Sequence, residues 1–208
     1  MITIKSNSEL NAIRSIYINL FNYKVQPSDN ELFKEDTLSL ELISELISER
    51  IYIKDNKLDT DFEYDKYFEN GYRIAKSECS YWTKELFESG KVEELVSYLK
   101  DNPDSKRAIL LLWKGEQRDL TQSAACMSYA FFRKDYDALN INVHMRANNA
   151  YSCILIDIDT MRALQEYIAT LLNLKVGKYS HFVDSLHFYN KDLNSIKKYY
   201  EVWRNATD

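Results

Sequence analysis

The chain has 208 residues, 45% of them hydrophobic, enough to bury one substantial core, so a single domain over residues 1–208 is expected. Lys plus Arg number 27 against 32 Asp plus Glu, a net charge of −5 with no basic stripe; this argues against a nucleic-acid partner and leaves room for a small anionic ligand held by a few cations. No apolar stretch approaches the roughly 20 residues that span a bilayer, and Met1-Ile-Thr-Ile-Lys5 lacks the pattern of a secretory leader. Three cysteines, Cys79, Cys126 and Cys153, are an odd number without C-x-x-C spacing, which points to free thiols in the cytoplasm and to no metal.

In chain order, residues 37–50 place Leu38, Leu42 and Leu46 with Ile43 and Ile47 at helical spacing, and Glu41, Glu45 and Glu49 in an acidic row; this predicts a helix. Val92, Leu95, Val96 and Leu99 predict a second over 91–100, ended by Asn102-Pro103-Asp104. The short apolar run from Ala108 to Trp113 and the aromatic-rich stretch from Cys126 to Arg133 both suit strands. From Asn140 to Arg146 the alternation is clean, with Ile141, Val143 and Met145 on one face and Asn142, His144 and Arg146 on the other. Ala150 to Ile156 is apolar throughout, and Met161, Leu164, Ile168, Leu171 and Leu172 predict a helix over about 160–172. A strand over 182–189 and a helix over 192–204 complete the chain. Helices and strands mix without βαβ regularity, which predicts an α+β domain around one sheet flanked by helices.

Four separated segments hold chemistry-bearing residues: Asn102-Pro-Asp-Ser-Lys-Arg107, Cys126, Arg146-Ala-Asn-Asn149 and Asp184-Ser-Leu-His-Phe-Tyr189. Taken singly, each has a plain alternative in a solvated turn, a buried structural thiol, a strand end facing water or a half-buried aromatic strand. A cation one strand away, such as Arg146, lowers the pKa of a thiol and favours its nucleophilic form.

Taken together, the four segments resemble the thymidylate synthase and deoxycytidylate hydroxymethylase superfamily. Lys106 stands twenty residues before Cys126 and Arg146 twenty after it, as the family's N-P-D-S-R-R and R-S-x-D segments do around its catalytic cysteine. Leu174-Lys-Val-Gly177 leads to His187 and Tyr189 as the family's L-x-V-G leads to D-x-H-x-Y, so the likeness runs ungapped over about 101–189. It implies a thymidylate synthase-like fold, in a compact version with a short C-terminus. It also implies a homodimer that binds a pyrimidine nucleoside monophosphate, with methylenetetrahydrofolate as one-carbon donor.

Carried over residue by residue, the resemblance makes Cys126 the nucleophile and Arg146 a phosphate ligand in cis. Lys106 and Arg107 become phosphate ligands from the partner subunit, and His187 and Tyr189 hold the sugar 3′ hydroxyl. Asn149 replaces the family's Asp at the substrate and folate, and Trp82 stands for the cofactor wall. Glu41, with Glu45 as second choice, stands for the N-terminal Glu that organises water and relays protons.

The family's base-reading Asn falls on Asp157. A carboxyl suits cytosine, with one oxygen accepting from the N4 amino group and a shared proton bridging to N3. Asp157 and Met145 bring the sequence nearer the hydroxymethylase branch, although Asp157 or Asp159 as a plain cap of the helix near Thr160 is the alternative. In that chemistry C5, activated by the Cys126 adduct at C6, takes up the one-carbon unit as an exocyclic methylene. Capture by water gives a hydroxymethyl group, and capture by hydride gives a methyl group.

Departures fall on both the phosphate and the folate side. Lys106 replaces an Arg, Ala147 a phosphate-binding Ser, Asn149 an Asp and Cys153 a Gly. The expected function is therefore a C5 hydroxymethyltransferase acting on dCMP or CMP. Alternatives are an enzyme methylating a uridylate or doing folate-independent C5 or C6 chemistry, and a non-catalytic nucleotide-binding homologue.

Overall fold

In a computed structural model of the chain, the residues described are 1–23, 31–43, 89–112 and 126–205. They form one six-stranded mixed sheet in the order β1-β2-β6-β5-β4-β3. The strands are β1 (Ile2–Ser6), β2 (Leu32–Leu42), β3 (Ile109–Leu111), β4 (Met127–Asp135), β5 (Ala138–Asn149) and β6 (Lys175–Tyr189). The helices are α1 (Glu9–Phe21), α2 (Lys91–Asp101), α3 (Ile154–Leu171) and α4 (Leu193–Asn205). β1 runs parallel to β2 and β5 parallel to β6, while the other three pairings are antiparallel. The expected α+β architecture around one sheet is what forms.

One stretch takes a different form from the expected one. Residues 37–42 are the end of β2 and not the start of a helix, while 44–50 lie outside the described residues. Leu38 and Leu42 are four apart, a spacing that both periods share, but Leu40 lies between them and all three are buried. Period 2 therefore wins, and pairing along both edges of β2 holds it. The helix expected from about Thr160 begins six residues earlier, because Ile154, Leu155 and Ile158 extend the apolar stripe of Met161, Leu164 and Ile168. The N-terminal pair β1 and α1 has no counterpart in the sequence-based expectations. Its signals are the buried alternation of Ile2 and Ile4 and the cap at Ser8, whose Oγ accepts from the Asn11 amide at 3.3 Å.

Two register shifts shape the end of the sheet that matters below. β6 slips against β2 between Asp36 and Leu38, and β4 slips against β5 between Met127 and Tyr129. β5 and β6 keep step with each other from Ile141 to Asn149. Both strands nevertheless reverse which face is buried. On β5 the buried series Leu139, Ile141, Val143, Met145 gives way to Asn148 and Ala150; on β6 Tyr179, His181, Val183 gives way to Leu186 and Phe188. Bulges of this kind re-aim side chains. Here they turn Asn148 inward and leave Ser185, His187 and Asn149 together on the opposite face.

The core carries polar groups that must be satisfied internally. Arg162 on α3 is fully buried, paired with the carboxylate of Glu9 on α1 and lying 5.7 Å from the Tyr179 ring. His181 is also fully buried and shares a 2.7 Å hydrogen bond between its Nδ1 and the Tyr179 hydroxyl. Burial pushes its pKa from the ordinary 6.5 down to about 3. The unfolded chain therefore takes up this proton first as pH falls through 6.5, and stability is lost from there towards pH 3. The loss approaches about 1.4 kcal/mol per pH unit for one proton. Urea unfolding at pH values of about 7.5 and 5 is expected to show it, and His181→Phe is expected to flatten that part of the dependence.

Candidate active site

β4 begins where β5 and β6 end, and α3 starts a few residues beyond β5, so one end of the sheet collects side chains from four elements. The Arg146 amide donates to the Cys126 carbonyl at 2.9 Å, which places the first residue before β4 beside the last third of β5. Cys126 is exposed as a residue, yet protein crowding its sulfur raises the thiol pKa. The Arg146 guanidinium works against that rise, and the Asp157 carboxyl adds to it. Cys153, half-buried at the N-cap of α3, feels both Asp157 and Cys126, so the three groups share one neighbourhood.

Asp157 lies in the first turn of α3 and does not cap the helix, since Cys153 holds the N-cap position. Asn148, 2% exposed, donates from Nδ2 to Asp157 Oδ2 at 3.0 Å. Enclosure raises the Asp157 pKa to about 7, with the Asn148 bond opposing the rise. A carboxyl poised near neutrality beside a thiol is an acid–base group set by its surroundings.

On the other face of the same end, His187 of β6 sits between Glu35 of β2 and Asn149 of β5 in the strand register. His187 and Tyr189 share a side as expected, their rings 4.7 Å apart and edge to face. Ser185 Oγ donates to Glu35 Oε1 at 2.5 Å and lies 3.4 Å from His187 Nδ1. Asn149 Oδ1 accepts from the amides of Tyr151 at 2.8 Å and Ser152 at 3.2 Å, which holds the turn from β5 into α3.

Six sequence-predicted residues thus lie at this end of the sheet, Cys126, Arg146 and Asp157 in one neighbourhood and Asn149, His187 and Tyr189 in another on the other face. Glu41 does not join them. It is on β2 opposite Ser180, six residues along the strand from Glu35, and its carboxylate is held 2.7 Å from Lys5, which keeps its pKa below the usual range. Lys106 and Arg107 are exposed and precede β3, which pairs with β4 from Phe131 back to Tyr129. Along β4 they stand on the order of 20 Å from Cys126 of the same chain. Trp82 and Glu45 lie outside the described residues. Glu35 lies outside the motifs, while Ser185, Asn148 and Cys153 lie within or beside them without a role assigned from the sequence.

The sequence model of the family described as thymidylate synthase matches residues 43–205, which takes in Cys126, Arg146, Asp157 and His187. The chain belongs to the thymidylate synthase family. It is 24% identical over 107 residues to a thymidylate synthase of Bacillus atrophaeus, covering 51% of this chain and 47% of that protein. Thymidylate synthase of Mycoplasma genitalium is 23% identical over 107 residues, covering 51% and 37%. Among solved structures, the thermostable thymidylate synthase A from Bacillus subtilis superposes with a TM-score of 0.49 at 24% identity, covering 53% of this chain and 40% of that one. The chain spans about half the length, or less, of the curated relatives it matches.

Family membership implies a folate as one-carbon donor, and Asn149 tests the fit. A pterin ring presents its amide N–H and its amino group as donors. The acceptor of Asn149 is already engaged by the turn at 151–152, which leaves a donor facing donors. Cys153 adds a side chain beside the same turn. The contact made by the family's Asp is therefore not open to Asn149 as this turn holds it, and no step below is derived through the folate.

Proposed function

We propose that this thymidylate synthase-family chain transfers a one-carbon unit to C5 of a cytidylate, CMP or dCMP, giving the 5-hydroxymethyl product. The observation that carries the proposal is Asp157, an enclosed carboxyl with a pKa near 7, held by Asn148 in the neighbourhood of Cys126. One of its oxygens can accept from the cytosine N4 amino group in either protonation state. When Cys126 adds at C6, charge moves onto N3, and the protonated form of Asp157 can meet it with its proton. Uracil presents O4 where cytosine has its amino group, and the ionised carboxyl repels it.

In this proposal Arg146 grips the phosphate and favours the thiolate, while His187 and Tyr189 hold the sugar. The adduct makes C5 a carbon nucleophile towards an electrophile at the oxidation level of formaldehyde. C5 then loses its hydrogen, and Cys126 leaves as the product forms. The donor implied by membership is methylenetetrahydrofolate. Because Lys106 and Arg107 stand about 20 Å from Cys126 of their own chain, they serve the phosphate only from a second copy, so the active unit is a homodimer.

Tritium released from C5 of CMP or dCMP tests both parts. Release is expected with methylenetetrahydrofolate present and not with a uridylate. A Cys126→Ser protein and a Lys106→Ala/Arg107→Ala protein are each expected to be inactive, and a refolded mixture to recover part of the activity. No release from any pyrimidine nucleotide would refute the chemistry, and no recovery on mixing would refute the shared site.

A further inference from the structure

One acidic side chain reaches the His187 face of this end from β2, at a position outside the family motifs. Glu35 on β2 lies directly opposite His187 on β6, and directly opposed antiparallel residues stand with Cβ atoms about 5 Å apart. The Ser185 hydroxyl, two residues before His187, donates to Glu35 Oε1 at 2.5 Å and so fixes the direction of the carboxylate. Asn149 flanks His187 on the other side, and Tyr189 stacks edge to face against it, so the carboxylate joins the group assigned above to the sugar.

A carboxylate only accepts hydrogen bonds, and its two oxygens form a fork. The ribose 2′ and 3′ hydroxyls are vicinal donors that match such a fork, which is why acidic residues recognise ribose hydroxyls in dinucleotide sites. A 2′-deoxyribose offers a methylene at one of those positions. A half-buried carboxylate facing that methylene gives up water and gains no donor.

We propose that Glu35, aimed by Ser185, accepts hydrogen bonds from the ribose 2′ hydroxyl and makes the enzyme select ribonucleotides, so that its substrate is CMP and not dCMP. The inference rests on the pyrimidine-nucleotide assignment made above. It extends that assignment by specifying the sugar, and it makes Glu35 a specificity residue and Ser185 a positioning residue.

Binding of CMP and of dCMP to the full chain, measured by calorimetry, tests the inference without requiring turnover. The wild type is expected to bind CMP about tenfold or more tightly than dCMP, the range of one charge-assisted hydrogen bond. Glu35→Ala is expected to bring the two within about threefold by weakening CMP alone. Glu35→Gln keeps one acceptor and Ser185→Ala only loosens the carboxylate, so both should fall between. If Glu35→Ala does not fold, these two variants carry the measurement. Equal weakening of both nucleotides, an unchanged ratio, or a wild type that prefers dCMP overturns the inference while leaving the nucleotide assignment standing. Binding of neither nucleotide by the wild type strikes down the nucleotide assignment itself.

Discussion

Replacing Cys126 by Ser is expected to lower turnover on cytidylate by on the order of a thousandfold or more, with the unliganded melting temperature unchanged. The residue is exposed at the start of β4 and fills no core volume, so the loss would report on chemistry and not on folding. A serine hydroxyl at the same place is far harder to ionise than a thiol, and addition at C6 needs the anion. Crowding already raises the Cys126 thiol above its ordinary value, which leaves the thiolate a minor form at neutral pH. Arg146 is the described group that opposes this rise, so Arg146→Gln should lower the thiolate fraction at neutral pH and move the thiol-controlled fall of the rate profile to higher pH. It should also weaken nucleotide binding by about ten- to a hundredfold, the range of a lost charge-assisted contact. The discriminating measurement is kcat/KM between about pH 6 and 9 for wild type and Arg146→Gln. A thiol-controlled limb that does not move would show that Arg146 holds phosphate without helping the thiol.

Much of this site was legible in the linear sequence, for a physical reason. Cys126, Arg146, Asp157 and His187 sit at the start of β4, on β5, in the first turn of α3 and on β6, elements joined by short connections, so chain spacing is nearly spatial spacing. Asn148 escaped notice because strict alternation from Ile141, Val143 and Met145 predicts 147 and 149 facing inward. The reversal of the buried face beyond Met145 buries Asn148 instead, and a bulge leaves no mark that polarity alone reveals. Glu35 was invisible for another reason. Its contact with Ser185 spans 150 residues and depends on how β2 registers against β6, which no local pattern specifies. The same holds for the form of residues 37–42, where Leu38 and Leu42 fit a helical period but the buried Leu40 between them belongs to a strand, which carries Glu41 to the far part of β2.

Asp157→Asn is expected to reverse base selectivity, moving kcat/KM from cytidylate towards uridylate by about a hundredfold or more. A site whose polar groups match one base leaves them unpaired with the other, and that mismatch sets the size of the effect. The asparagine amide donates where the carboxyl accepted, which suits O4, and its carbonyl accepts from the uracil N3–H. Asn148 stands 3.0 Å from Asp157 Oδ2 as a donor; against the substituted amide it would meet either an oxygen it can serve or, after an amide flip, another donor. The oxygen of the new side chain is therefore expected to stay on Asn148, with its NH₂ towards the base. That orientation favours uridylate further. The pH dependence gives a second readout. The protonated carboxyl needed for cytosine is lost as pH rises through about 7, whereas the thiolate of Cys126 is gained as pH rises. The wild type should therefore show a bell-shaped kcat/KM on cytidylate whose limbs belong to the pair, levelling near pH 7 as Asp157 ionises and falling only once the higher thiol is fully ionised. In the Asp157→Asn protein no carboxyl remains to titrate, so the alkaline fall should vanish and the acid limb should keep rising past pH 7 towards the raised pKa of the thiol. A variant that keeps both limbs and its cytidylate preference would mean that Asp157 supports α3 and reads no base.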